Sequence, residues 1–85
     1  MSSKIFKALS DPTRLKIIEL LENKEICACE FAPLTKKAQP TVSQHLKILE
    51  NAGIIASRKE GKMVIFSVTD KKIFELIKLV KGIGK

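Results

Sequence analysis

Two cysteines, Cys27 and Cys29, form a thiol pair separated by one residue and are the only cysteines in the chain. Thiolate sulfur binds soft ions, so two converging sulfurs could hold arsenic(III), Cu(I), Cd(II) or Zn(II) but would not suit Mg(II) or Ca(II). Side chains two residues apart lie on the same side of an extended segment, whereas in a regular helix they diverge by about 200°. Because Pro33 disfavours a wholly regular helix in this region, both sulfurs could converge on one soft ion.

The thiol pair has other interpretations. Free cysteine is among the most buried residue types, so both residues could simply pack a joint between helices. Two thiolates alone leave the four-coordinate geometry that Zn(II) prefers incomplete. An internal disulfide across one residue would be strained, and an intermolecular disulfide would require the pairs of two subunits to meet. Ion sensing, redox chemistry and packing are therefore all open interpretations of the sequence.

A second chemical pattern lies on the best-defined predicted helix, which covers residues 41–53 and has Pro40 near its start. At about 100° per residue, Val42, Leu46 and Leu49 turn inward. The outward residues are small hydrogen-bonding side chains and a cation, which suit base edges and phosphates in a DNA major groove. The candidate DNA contacts here are Pro40, Thr41, Ser43, Gln44 and Lys47. The alternative is an ordinary solvated helix face, since these residue types are common on any surface.

His45 is the only histidine in the chain and lies on the flank of the inward stripe of that helix. It could be a partly packed residue, a phosphate contact or a metal ligand. The ligand role is the least favoured because no second histidine accompanies it. Packing and phosphate contact both stay open for His45, and the second makes it a candidate DNA contact.

A basic hairpin is predicted directly after this helix, over residues 54–68, with Gly61 in its turn. Its basic residues are Arg58, Lys59 and Lys62. They could contact phosphates beside the major groove or in the neighbouring minor groove, or they could simply solvate the turn. Residues 36–62 carry a net charge of +4 out of +7 for the whole chain. The positive charge is therefore concentrated where we expect DNA to lie.

The elements that position these residues are short. Asp11 before Pro12 is a natural N-cap for the second helix, and Asp70 is a natural N-cap for the last. In chain order, the sequence predicts helices over 3–9, 12–22, from about Cys29 or Glu30, and over 41–53, then strands over 54–58 and 63–68, and a helix from 70. The expected fold is mainly α with a small β-hairpin. This order, helix-helix-helix-helix-strand-strand-helix, is that of a winged helix-turn-helix.

Composition limits what such a chain can do. Its 85 residues allow one domain, residues 1–85, and exclude most enzyme folds. Sixteen Lys and Arg against nine Asp and Glu favour a polyanionic partner, with nucleic acid ahead of an anionic membrane. No array typical of a catalytic site is identifiable, so we predict that the protein is not an enzyme. Since no signal peptide or membrane-spanning run is evident, the expected location is the cytoplasm.

Five segments together resemble the ArsR/SmtB family of metal-responsive repressors. They are Ala8–Arg14, Ile26–Phe31, Gln39–Leu49, Ala52–Ile55 and Glu60–Lys62, in the family's order. The resemblance implies a homodimeric winged-helix repressor that binds an imperfect inverted repeat in DNA near its own promoter and releases it when an inducer binds. In that family the first and last helices form the dimer interface. Residues 3–9 and 70–83 would have this role here, which would explain surplus apolar residues at Phe74 and Leu79.

The resemblance is incomplete at the sensing sites. Ala32 stands where arsenic-sensing members have a third cysteine, and the last helix, 70–81, has no histidine for the family's zinc site. The zinc-sensing subtype is therefore disfavoured, whereas arsenic(III), Cd(II) and Cu(I) stay candidate inducers at Cys27 and Cys29. The alternatives are a winged-helix regulator that responds to redox or to no metal, and a winged-helix module that binds protein or RNA. None of these requires a resident cofactor.

Overall fold

The computed structural model describes residues 3–83; the ends of the predicted 1–85 domain, Met1, Ser2, Gly84 and Lys85, lie outside the described residues. The helices over this range are α1 (Ser3–Ala8), α2 (Pro12–Leu20), α3 (Phe31–Thr35), α4 (Gln39–Asn51) and α5 (Lys72–Ile83). The strands are β1 (Ile26–Cys27), β2 (Ile55–Glu60) and β3 (Met63–Val68), and a 3₁₀ helix, Ala28–Glu30, joins β1 to α3. The predicted fold class is confirmed: the chain is a mainly helical winged helix-turn-helix, with a three-stranded antiparallel wing.

The helical core is built around α2 and α4. The Asp11 carboxylate accepts hydrogen bonds from the backbone N–H groups of Thr13 at 2.8 Å and Arg14 at 3.1 Å, and so caps α2 as predicted. Both helices bury one apolar face, through Ile17, Ile18, Val42, Leu46 and Leu49. The inward stripe predicted for α4 is therefore confirmed, and its opposite face is left at the surface.

The wing contains a strand that the sequence prediction did not include. β2 and β3 form the predicted hairpin, with Glu60 opposite Met63 and with Gly61 at a φ of 60° in the turn. β3 also pairs on its other edge with β1, where Ile26 lies opposite Phe66. A strand of two residues is too short to show an alternating pattern, so the sequence indicated only two of the three strands.

The third helix is shorter than a regular helix starting at Cys29 or Glu30 would be. A 3₁₀ turn occupies those positions, and α3 begins only at Phe31. Pro33 falls in the first turn of α3, where its missing N–H removes no helical hydrogen bond. Lys36 ends the helix in the left-handed conformation, with a φ of 59°. The break in regular helix expected from Pro33 is thus present, but on its N-terminal side.

The remaining boundaries lie close to the predicted ones. α4 begins two residues early, at Gln39, and stops before Gly53, whose φ of 77° is the left-handed conformation of a helix stop. α5 begins at Lys72, and the Asp70 carboxylate accepts a hydrogen bond from the Lys72 backbone N–H at 2.9 Å. The predicted N-cap role of Asp70 is therefore confirmed.

The terminal helices leave apolar side chains at the surface. An ion pair of Lys81 with Glu19 joins α5 to α2, and Lys78 pairs with Glu22, just after the end of α2. Phe74, one of the two surplus apolar residues of the last helix, packs partly against the core on the α2 side, whereas Leu79 is exposed. The exposed fractions of the large apolar side chains on these helices are 49% for Phe6, 68% for Leu79, 56% for Val80 and 83% for Ile83.

Candidate nucleic-acid interface and thiol pair

The exposed side of α4 forms a polar surface that we call the reading face. It consists of Pro40, Thr41, Ser43, Gln44 and Lys47, and all five are exposed. The buried stripe through Val42, Leu46 and Leu49 fixes the rotation of the helix about its axis, so the reading face must point to solvent. The structure thus brings five of the predicted DNA contacts together on one helix face.

His45 lies at the edge of the reading face. Its ring is half-buried, and its Nδ1 atom is 3.2 Å from Nη1 of Arg14 in α2. Sequence reasoning did not identify Arg14 as a partner of His45, because the two residues are far apart in the chain. The only local signal was the position of Arg14 three residues after the cap Asp11. DNA contact by His45 stays a prediction.

The wing is held beside α4 by direct hydrogen bonds. The Ser57 hydroxyl donates to the Glu50 carboxylate at 2.9 Å, and the Ile54 backbone N–H donates to the Leu49 carbonyl at 3.1 Å. Lys59 and Lys62, two of the predicted phosphate contacts, are exposed at the free end of the β2–β3 hairpin. The wing therefore presents these two exposed cations next to α4, the helix that carries the reading face.

Arg58, the third predicted wing contact, is engaged within the protein. Its guanidinium forms two 2.7 Å hydrogen bonds with the Glu25 carboxylate and one of 2.9 Å with Glu60. Hydrogen bonding to Glu25, then to Glu60, raises the pKa of Arg58, and hydrogen bonding to Arg58 lowers the pKa of Glu25. A phosphate contact by Arg58 would have to compete with these carboxylates.

The two thiols converge as the sequence predicts for a non-helical segment. The Sγ atoms of Cys27 and Cys29 are 3.2 Å apart, a contact distance without a disulfide bond. Cys27 ends β1 and is buried, whereas Cys29 lies in the 3₁₀ helix and is exposed. The Cys27 backbone N–H donates to the Glu30 carboxylate at 2.9 Å, which fixes the turn between strand and helix. The change from strand to 3₁₀ helix thus places both sulfurs on one side.

The thiol pair is electrostatically asymmetric. Hydrogen bonds to its sulfur from the backbone N–H and the thiol of Cys29 lower the pKa of Cys27. Donation of its proton to Cys27, reinforced by desolvation, raises the pKa of Cys29. Cys27 is therefore the residue that ionises first, and Cys29 is its hydrogen-bond donor. Of the two, Cys27 is therefore the sulfur that more readily supplies a thiolate to an incoming electrophile or ion.

Within residues 3–83, no group of three or more histidine, cysteine, aspartate or glutamate side chains is placed to hold a metal ion. The available donors are two sulfurs, which fit two-coordinate Cu(I) or arsenic(III) completed by a further ligand. It leaves a tetrahedral site incomplete. The residue between the cysteines, Ala28, borders a cleft of about 330 Å³ that Ser43 and Lys47 of the reading face also line.

A chain with this winged fold, a polar reading helix and a basic wing is a winged helix-turn-helix DNA-binding protein. Residues 11–57 match the family model for bacterial regulatory proteins of the arsR family. The chain belongs to the ArsR family of DNA-binding transcriptional regulators. It is therefore not an enzyme, as predicted.

The relatives are regulators of the same kind. The chain is 49% identical over 80 residues to an uncharacterised helix-turn-helix-type transcriptional regulator of Methanocaldococcus jannaschii, covering 93% of this chain and 90% of that protein. It is 43% identical over 76 residues to a homologue of the cadmium resistance transcriptional regulatory protein CadC of Staphylococcus aureus, covering 88% of this chain but only 63% of the relative.

A solved structure of this fold is also similar. It is the homodimeric winged helix-turn-helix DNA-binding domain of a Mycobacterium bovis protein, with a TM-score of 0.86 and 27% identity. The match covers 96% of this chain and 76% of that one. Among the described residues, no helix has the length and apolar character needed to cross a membrane.

Proposed function

We propose that this protein is a sequence-specific transcriptional repressor that binds an inverted-repeat operator as a homodimer. The observation that carries the proposal is the reading face of α4, whose exposed polar side chains lie opposite a fully packed apolar stripe. In the proposed complex, Ser43, Gln44 and Lys47 enter the major groove and Lys59 and Lys62 contact flanking phosphates. The chain acts as one DNA-binding domain in the cytoplasm.

The proposed dimer interface consists of α1 and α5, residues 3–9 and 70–83. A cleft of about 200 Å³ between these helices is lined by Phe6, Leu9, Leu76 and Val80 among others. Leu79 and Ile83 project from α5 with most of their surface exposed. Covering such residues with a second copy would remove apolar surface from water. Two reading faces would then occupy half-sites about one helical turn of DNA apart, roughly 34–36 Å.

The dimer is tested by one substitution and a matched control. Leu79→Glu places a charge in the proposed interface and should give a monomer by light scattering, with loss of operator binding. Met63→Glu changes an equally apolar side chain on the wing, 49% exposed, and should leave the dimer intact. A Leu79→Glu protein that stays dimeric would place the interface elsewhere.

The proposed inducer is a thiophilic ion, arsenic(III), Cd(II) or Cu(I), bound at Cys27 and Cys29. Support comes from the converging sulfurs, the lowered pKa of Cys27, and the relative whose name connects it with cadmium resistance. A change at the thiol pair would reach the reading face across the cleft that Ala28 shares with Ser43 and Lys47. This requires the ion to bind the DNA-free form more tightly than the DNA-bound form.

A redox response is the second candidate, because the pKa of Cys27 is lowered by hydrogen bonds from Cys29 and Cys29 is accessible to an oxidant. Fluorescence anisotropy of the reduced protein on duplex DNA from its own upstream region, against a scrambled duplex, tests both candidates. The titration is repeated with arsenite, Cd(II), Cu(I) and hydrogen peroxide. The control is the Cys27→Ser/Cys29→Ser variant.

We expect sequence-preferring binding that one ion weakens about 5- to 150-fold in the wild type and not in the control. Reversal by peroxide alone would favour redox sensing. Binding untouched by every agent would leave a repressor without a thiol inducer. Equal affinity for both duplexes would contradict recognition of an operator in the upstream region and favour a winged-helix interaction module.

Two substitutions distinguish a residue that recognises the DNA sequence from a residue that contacts phosphate. Gln44→Ala should reduce the preference for the operator over the scrambled duplex, because Gln44 lies on the reading face. Lys59→Ala should weaken binding to both duplexes and flatten the salt dependence by about 0.9 units of slope, as expected for one lost phosphate contact. Equal losses on both duplexes for Gln44→Ala, or an unchanged slope for Lys59→Ala, would remove that residue from its assigned role.

A further inference from the structure

One residue of the Asp11–Arg14 sequence has no role in the proposed function. Asp11 caps α2 and Pro12 begins it, but Arg14 belongs neither to the reading face nor to the core. Its side chain is half-buried and turns back from α2 toward α1 and across to α4. A charged side chain held in such a position requires specific partners.

The guanidinium of Arg14 has a partner for each of its three nitrogens. Nε donates to the Ala8 carbonyl at 2.6 Å, and Nη2 donates to the Lys7 carbonyl at 3.2 Å. These are among the last carbonyls of α1, which lack partners within the helix. Nη1 lies 3.2 Å from Nδ1 of His45. Because the guanidinium is planar and rigid, the two carbonyls fix the direction in which Nη1 points.

This contact determines which nitrogen of His45 carries the proton. Arginine has only donors and keeps its charge at any relevant pH. Nδ1 of His45 must therefore accept the hydrogen bond with its lone pair, and in the neutral ring the proton lies on Nε2. Nε2–H is then a donor on the far side of the ring from Arg14. The ring is half-buried, and because no buried side-chain nitrogen among the described residues lacks a partner, an unpartnered Nε2 keeps contact with solvent.

We propose that Arg14 is a positioning residue that holds His45 as a hydrogen-bond donor to a DNA phosphate oxygen through Nε2–H. The inference rests on the proposed DNA-binding function and adds a residue to it. A phosphate fits better than a base edge, because His45 lies beside the exposed face of α4 and not at its centre. The surface next to Arg14 also includes Lys4 and Lys7, both exposed cations. Contacts to phosphate set the register of a protein on DNA without reading sequence.

The first test measures the tautomer directly. His45 is the only histidine in the chain, so a long-range ¹H–¹⁵N spectrum contains one imidazole. In mildly alkaline buffer without DNA, the wild type should show unprotonated Nδ1 and protonated Nε2 as a single tautomer. In Arg14→Gln the two nitrogen shifts should approach each other, because an amide and water can serve either nitrogen. A proton on Nδ1 in the wild type, or identical spectra for both proteins, would overturn the proposal.

The second test is a double-mutant cycle on DNA affinity. Arg14→Gln and His45→Phe should each weaken binding about tenfold, equally on operator and scrambled duplex, because a donor to a charged phosphate is lost. In the His45→Phe background, Arg14→Gln should have almost no further effect, since Arg14 acts through the ring. If Arg14→Gln weakens DNA binding in the His45→Phe background as much as in the wild type, Arg14 acts by another route and the proposal is contradicted.

Matched variants separate positioning from folding and from charge. His45→Gln keeps an amide donor near the place of Nε2 and should recover most of the affinity, whereas His45→Asn, with its amide near Nδ1, should not. Lys16→Gln removes one exposed cation from the same helix as Arg14 and should cost less than Arg14→Gln. If Arg14→Gln does not fold, Arg14→Lys replaces it, because lysine keeps the charge but cannot reach all three acceptors.

The two tests also separate this proposal from the proposed function. A wild type that binds neither duplex would overturn the proposed function and with it the phosphate contact, while the spectrum would still decide whether Arg14 sets the tautomer. Normal operator binding with an unaffected His45→Phe variant would keep the proposed function and overturn the phosphate contact alone.

Discussion

α4 and the segment Ile26–Glu30 border the same cleft, but different contacts determine their structures. α4 is a helix of 13 residues whose buried stripe and exposed reading face follow from contacts within one or two helical turns. The segment changes from strand to 3₁₀ helix within five residues, and its strand exists only because Ile26 and Cys27 pair with β3, far along the chain. The first structure is local, and the second is imposed by tertiary contacts.

The functional groups of the two regions differ in the same way. Among the described residues, only one side-chain hydrogen bond involves the reading face. Gln39, which precedes this face, donates to Ser43 at 3.4 Å, a weak contact. In the segment, the thiols bind each other at 3.2 Å and Glu30 binds the Cys27 backbone. The reading face is thus free to bind DNA, whereas a ligand at the thiol pair must displace an existing hydrogen bond and its proton.

The largest expected effect tests whether α4 depends on its buried stripe. Leu46→Ala should lower the free energy of unfolding by about 3 kcal/mol, because Leu46 is 4% exposed and its truncation leaves a cavity. Ile48→Ala, on the same helix but 42% exposed, should cost less than about 1 kcal/mol. Urea denaturation followed by circular dichroism measures both. Similar losses for the two variants would mean that the stripe does not anchor the helix.

The next effect concerns the cap of α2, which supports both α4 and Arg14. Asp11→Ala should lower the free energy of unfolding by about 1 kcal/mol at neutral pH. Desolvation raises the pKa of Asp11, but hydrogen bonds from the Arg14 and Thr13 backbones and the charges of His45 and Arg14 together lower it below 3.8. The folded state therefore binds the proton less tightly than the unfolded state. The contribution of this charge is present above about pH 3.8 and is lost as the pH falls through the lowered value.

Thermal melts between neutral and acid pH measure this effect. Asp11→Asn is the control, because asparagine is also a good N-cap but carries no titrating charge. The stability difference between wild type and Asp11→Asn should shrink as the pH falls below about 3.8. A constant difference would show that the Asp11 charge does not stabilise the fold.

A smaller effect sharpens the description of the thiol pair. Cys27→Ala removes the acceptor of the Cys29 thiol, so the pKa of Cys29 should fall. Cys29→Ala removes the thiol donor but keeps the backbone N–H of residue 29, so the pKa of the Cys27 thiol should rise only in part toward its ordinary value. Thiolate absorbance followed against pH in each single-cysteine variant measures both shifts. Shifts in the same direction would contradict the assignment of Cys27 as thiolate and Cys29 as donor.

Sequence reasoning succeeded wherever a structure is encoded locally. The Asp11 cap, the inward stripe of α4 and the Asp70 cap each depend on residues within a few positions, and all three were predicted. The convergence of Cys27 and Cys29 was also predicted, because Pro33 indicated an irregular segment.

What the sequence did not reveal depends on pairs that are distant in the chain. β1 is defined by its pairing with β3, and Phe74 is partly buried by packing toward α2. The contact of Arg14 with His45 and the pairing of Arg58 with Glu25 join residues 31 and 33 positions apart. No periodicity or capping rule relates such positions, since only the folded arrangement of helices and wing brings them together.

The smallest expected effect concerns the ion pair of Arg58 with Glu25. This pair joins the wing to the residue just before the segment Ile26–Glu30. Glu25 directly precedes β1, and its carboxylate holds Arg58 of the wing. Glu25→Gln should change the free energy of unfolding only slightly, because both side chains are about half exposed and solvent screens the pair. It should also release Arg58 toward DNA phosphate, steepening the dependence of log affinity on log salt by about 0.9. Glu22→Gln, which removes a carboxylate paired with Lys78 of α5 and not with the wing, is the control for net charge. An equal change of slope in both variants would mean that Arg58 is not released, and that the wing binds DNA through Lys59 and Lys62 alone.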